Sequence, residues 1–200
     1  MLAELATVVT ETPWRLTPDH RARGHAAGLS AAELLHAIAL AAYFGHLNRI
    51  ADAVAMPLDY EVAHLPPAAE PATPAYERAP HVVRGTPALA LADRPATAAA
   101  LEAWHAYVVA REPAGSPIEA WVAGLSGDGP AVAPADDDEL YRLVERVTLA
   151  PWQLSDDAAF AALRARGHDD AALFRIVSAA SSFGAFARLR VALIALATPL

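Results

Sequence analysis

A repeat constrains this chain more than any other feature. Pro13-Trp14-Arg15-Leu16-Thr17-Pro18-Asp19 returns as Pro151-Trp152-Gln153-Leu154-Ser155-Asp156-Asp157. With one residue inserted, the stretch from Gly28 aligns with the stretch from Gly167. Leu34 then matches Leu173, Phe44 matches Phe183, Gly45 matches Gly184 and Arg49 matches Arg188. A chain built twice from one unit must fold as that unit allows and then pack the two copies together.

The unit reads as helical. A short helix from about residue 2 (or 138) runs into the Pro-Trp turn. Thr17 or Ser155 stands where an N-cap side chain satisfies free backbone N–H groups, with acidic residues in the first turn. The helix that follows ends near 27 (or 166), where glycine supplies a C-terminal stop. Ser30 or Asp169 then caps a long helix. Apolar residues make up 55% of the chain and charged residues 19%, much of the excess being alanine, a strong helix former. From Leu34 to Val54 nearly every face is apolar, which predicts burial on several sides. A 200-residue monomer struggles to surround two such helices, so they are expected to pack on each other or on another subunit, as a homo-oligomer.

The expected organisation is one duplicated all-α domain. It comprises a first repeat over 1–60, a proline-rich connection over 61–95, middle helices within 96–126 and a second repeat over 137–200. The stretch 96–111 reads as an amphipathic helix and 117–125 as a shorter one.

Composition also excludes. A net charge of -8 with 15 Lys and Arg, and no basic cluster, argues against nucleic acid and against an anionic membrane surface. The apolar stretches around 34–47 and 191–200 fall short of the roughly 18 residues a membrane span needs. The start MLAELATVV lacks a signal pattern, so a soluble cytoplasmic protein is expected. With no cysteine there is no disulfide, thiolate metal site or cysteine nucleophile.

The stretch LSAAELLHAIALAAYFGHLNRIADAVAMPLD resembles the closing helix of AhpD-like proteins of the carboxymuconolactone decarboxylase superfamily, in their peroxidase-related branch. Trp14, Leu16, Thr17, Asp19, the turn at Gly28-Leu29-Ser30, Phe44, Asn48 and Arg49 carry the resemblance. The second copy matches at Trp152, Leu154, Ser155, Asp157, Gly167, Phe183 and Arg188, with Ala187 in place of the asparagine. Together they cover about residues 4–60 and 138–195. The resemblance implies an all-α, internally duplicated protein that assembles as an oligomer. The family's peroxidases share a Glu…Cys-x-x-Cys-x-x-x-His motif, of which residues 88–126 bear no trace. Serine cannot replace the thiol, having no sulfenate chemistry. The expected function is therefore a binding or partner subunit without thiol peroxidase activity or a cofactor. It would pair with itself or with a cysteine-bearing relative.

Two catalytic alternatives stand beside that expectation. His46, Arg49 and Asp52 follow one another at i, i+3 spacing. A cofactor-free enzyme acting on a small carboxylate or lactone would use His46 as acid or base and Arg49 to hold the carboxylate, with Tyr43, Asn48 and Arg188 completing the substrate site. The competing reading is an Arg–Asp pair at a structural interface, which the recurrence of arginine at Arg188 favours. The second alternative is a metalloenzyme. Glu33–His36, Glu61–His64 and Glu102–His105 share a spacing that puts both side chains on one helix face, and Glu33, His36, Glu102 and His105 would form the centre. Tyr43, Phe44, Phe183 and Phe186 read as pocket lining or plain core. Trp104, His105 and Tyr107 read as facing a cavity.

Overall fold

The computed structural model of this protein describes residues 1–56, 77–134, 138–155 and 158–197. Glu61 and His64 lie outside them. Among the described residues there are eight α-helices and no strand, so the all-α expectation holds. The helices are α1 (Leu2–Glu11), α2 (Pro18–Ala26), α3 (Ala31–Ala53), α4 (Pro95–Val109), α5 (Ile118–Ser126), α6 (Glu139–Leu149), α7 (Ala158–Ala165) and α8 (Asp170–Ala195), with 3-10 turns at Pro13–Arg15 and Pro151–Ser155.

Local chemistry fixes the starts and stops. The Ser30 hydroxyl accepts the Glu33 N–H at 3.2 Å while the Glu33 carboxylate accepts the Ser30 N–H at 2.9 Å, a reciprocal cap that opens α3. Asp169 opens α8 by accepting the Ala172 N–H at 2.7 Å. Thr17 is the N-cap of α2, in a capping box in which its own N–H donates to His20 Nδ1 at 3.2 Å. Before each long helix the chain turns through a left-handed residue, Gly28 at φ 90° and Gly167 at φ 93°, which residues with a Cβ rarely adopt.

The two halves bury matching residues. Leu5, Val9, Leu16, Leu34 and Ile38 form one core with the C-terminal end of α8, and Leu143, Val147, Leu154, Leu173 and Val177 form the other with α5. The long helices α3 and α8 pack on each other, and each also packs on the Pro-Trp turn of the opposite half. Neither half therefore closes its core without the other.

The long helices pack on each other as expected, but within one chain α8 is enclosed and α3 is not. Along α8 nearly every position from Ala179 to Ala195 is buried. By length and composition α8 could cross a membrane, contrary to the sequence estimate, but 78% of its most apolar window is buried inside the protein. On α3, Leu40, Tyr43, Phe44 and Leu47 face outward, with Phe44 56% exposed. Only Val108 of α4 is buried, so this helix lies loosely on the surface with apolar side chains around it. The described part of the proline-rich connection is strapped to the surface. Ala79 and Val83 N–H groups donate to the Leu125 and Gly127 carbonyls, and Ala88 donates to the Leu193 carbonyl of α8 at 2.7 Å.

Candidate functional site

Arg49 and Arg188 meet where the halves join. Arg49 donates from Nη1 to the Gly45 carbonyl at 2.9 Å, from Nη2 to the Thr10 carbonyl at 2.9 Å and from Nε to the Thr148 carbonyl at 3.4 Å. Arg188 mirrors it, with Nη1 to Gly184 at 3.3 Å, Nη2 to Thr148 at 2.8 Å and Nε to Thr10 at 2.9 Å. Each guanidinium thus binds the carbonyl four residues back on its own helix and one carbonyl from each half. Thr10 and Thr148 lie in the last turns of α1 and α6. Their carbonyls lack intrahelical partners and mark the negative helix ends, where cations are stabilised. The paired glycines have a matching reason. A Cβ at Gly45 would stand 2.9 Å from Arg49 Nη1, and a Cβ at Gly184 would stand 2.9 Å from Arg188 Nη1. The shared Phe-Gly-x-x-x-Arg motif is therefore a folded-back arginine and the gap that admits it.

This geometry gives the catalytic candidates structural partners. Arg49 and Arg188 are each 2% exposed, and the carbonyl bonds engage the guanidinium that a substrate carboxylate would need. His46 is buried too. The Ser181 hydroxyl donates to the His46 carbonyl at 2.8 Å, which leaves its oxygen to accept from His46 Nδ1 at 3.1 Å. The hydrogen bonds thus assign the proton of the neutral ring to Nδ1. Burial pushes the His46 pKa down to about 4, with Arg49 pushing the same way, so the ring is neutral at pH 7. Of the remaining substrate-site candidates, Tyr43 lies beside His46 with ring centroids 6.3 Å apart, and Trp104 packs on the His46 ring at 4.9 Å. Asn48 is exposed on α3, while Tyr43 stacks edge-on against Trp104 at 5.6 Å. Asp52 has its carboxyl raised by partial burial, against the field of Arg49.

The four metal candidates are not brought together. No group of three or more His, Asp or Glu side chains converges among the described residues. Glu33 caps α3, and His105 Nε2 lies 3.1 Å from Glu119. His36 lines one side of α4, whereas Glu102 and His105 line the other.

Two apolar cavities flank α4, and their lining from α3, α8 and the connection was not foreseen from the sequence. One, of about 420 Å³, lies between α3 and α4 and is lined by His36, Leu40, Tyr43, Leu101 and Trp104. The other, of about 610 Å³, lies between α4, α8 and the strap over 86–91. Leu101 borders both. The aromatic reading divides accordingly, with Phe183 buried in the core, Phe44 exposed, and Phe186 in the second cavity against Trp104 at 4.4 Å. Trp104 and His105 each border a cavity as expected, while Tyr107 is exposed.

Fold and site together define an all-α protein whose two halves are joined through a buried arginine pair, with apolar surface on α3 and α4. No known protein family, curated protein or solved structure matches the chain.

Proposed function

We propose that this is an internally duplicated, AhpD-like protein of the carboxymuconolactone decarboxylase superfamily, without thiol peroxidase activity, that works as a self-associating binding subunit. The exposed stripe on α3 carries the reading. Leu40, Tyr43, Phe44 and Leu47 follow the i, i+3, i+4, i+7 pattern of one helix face and are 40–56% exposed. At ordinary side-chain areas they leave on the order of 400 Å² of apolar surface open, the size of patch that marks interaction sites. That is about half of the ~800 Å² each partner contributes to a standard interface. A second copy is the occupant that fits, because a two-fold pairing of α3 with itself doubles one stripe against its own image. The duplication is supported by the mirrored arginine bonds and by the matched caps, glycines and core residues. The loss of thiol chemistry is supported by the absence of cysteine.

Light scattering after size exclusion, from low to high micromolar chain, tests the association. A mass of two chains or a higher closed multiple that reverts to one chain in Phe44→Glu is expected. A single-chain mass throughout overturns the reading. Thiol-dependent peroxide turnover by the purified protein would overturn the functional half.

A further inference from the structure

We propose that the cavity between α4, α8 and the 86–91 strap is a binding site for a small apolar monocation, an alkyl- or arylalkyl-ammonium. The site is separate from the α3 stripe and does not depend on self-association. Its body is apolar, formed by Leu89, Leu101, Phe186, Leu189 and Leu193, and its volume of about 610 Å³ suits a molecule of ten or so heavy atoms with room to spare. The strap that closes one side is held in place by the Ala88 N–H bond to Leu193.

The polar groups at the mouth decide the charge of the ligand. Arg190 is the cation there, and it is bonded through Nε to Asp128 Oδ1 at 2.6 Å and through Nη2 to the other oxygen of the same carboxylate. This bidentate pair, which also raises the Arg190 pKa, leaves little positive field for an anionic ligand. Glu102 lines the cavity and makes no hydrogen bond or ion pair among the described residues. Glu119, held by His105 and adding its field to that of Asp128 on Arg190, is not part of the lining. The balance at the mouth is negative, over an apolar floor that includes an aromatic ring. An ammonium head at Glu102 with its chain against Leu101 and Phe186 matches both features, whereas a carboxylate head meets like charge.

Amide NMR titration of the full chain tests this, using nonylammonium with nonanoate and nonanol as probes of matched chain length. Saturable shifts centred on Leu89, Leu101 and Leu189 are expected with the cation, and about fivefold to tenfold weaker binding with the anion, since the exposed Glu102 carboxylate attracts one head and repels the other. Glu102→Gln should narrow the cation preference by about three- to fivefold. Ala90→Trp and Thr86→Trp, both at exposed strap positions lining the cavity, should abolish binding of all three probes while leaving the chain's mass unchanged. Absence of saturable binding by the cation, equal or tighter binding of nonanoate, or binding that survives both tryptophan variants overturns the proposal. A chain that is monomeric yet binds the cation would refute only the association.

Discussion

Replacing the two buried arginines one at a time and then together should give a more-than-additive loss of stability. In Arg49→Met or Arg188→Met, three charge-assisted bonds are lost, but Thr10 and Thr148 each keep a donor from the arginine that remains. Removing one of two neighbouring buried cations also relieves repulsion. Each single change should therefore cost only about 2–3 kcal/mol, despite the burial of the group. In the double variant both carbonyls lose every side-chain donor the pair supplied. Each is a helix-end acceptor, and leaving one buried without a partner costs about 1–3 kcal/mol. The repulsion has already gone with the first substitution and is not relieved again. Both effects have the same sign, so the double variant should lose roughly 2–4 kcal/mol more than the sum of the singles. Urea unfolding followed by circular dichroism at 222 nm measures all four corners of the cycle. The measurement is within range for a domain stable by about 5–15 kcal/mol, and a double variant that fails to fold still leaves the two single values to check. Singles that each cost less than about 0.5 kcal/mol, or a double equal to their sum, would refute the shared-carbonyl argument.

The glycines that admit the arginines should be equally sensitive. Gly45→Ala and Gly184→Ala set a Cβ 2.9 Å from a guanidinium nitrogen, so each should lower the urea midpoint. Gly28→Ala has open space around it but a φ of 90°, and should cost about 1 kcal/mol through backbone strain alone. Phe44→Glu should abolish association while shifting the thermal midpoint of the dilute monomer by no more than a few degrees, because the ring it removes is 56% exposed. His46 sets an acid limit. Its folded pKa of about 4 lies below the ordinary 6.5, so the folded state resists a proton that the unfolded chain accepts. Its contribution is full above pH 6.5 and is lost as pH falls toward 4, by at most about 3 kcal/mol. His46→Gln should flatten that part of the stability profile, and an unchanged slope would count against the buried neutral ring.

The helices were legible because their signals are local. Ser30 with Glu33, Asp169 with Ala172, and a glycine before each long helix are choices made within four residues, and the structure uses each where the sequence puts it. The exposure of α3 was not legible. Its composition resembles that of α8, and only the way the halves interlock decides that α8 is enclosed while Leu40 and Phe44 stay outside. A cavity at Trp104 and His105 was expected, but its other walls were hidden for the same reason, since they come from elements far apart in the chain.

The arginine pair is the instructive middle case. The i, i+3 spacing of His46, Arg49 and Asp52 pointed to chemistry, while the recurrence of Arg188 pointed to structure. One further signal would have decided between them. The repeat begins earlier than the Pro-Trp turn, at Val9-Thr10 and Val147-Thr148, each followed after two intervening residues by Pro-Trp. Those two threonines supply the carbonyls that both guanidiniums bind. A chain that keeps a glycine, an arginine four residues on, and the turn that presents an open carbonyl, in both halves at one spacing, preserves a complete hydrogen-bonding set. A substrate-binding arginine has no need of its own helix-end acceptors. Chemistry confined to one half, such as the lone His46, has no such partner set and must be judged by what its ring can reach. In this protein that is the Ser181 hydroxyl through Nδ1, with Trp104 packed on the ring at 4.9 Å.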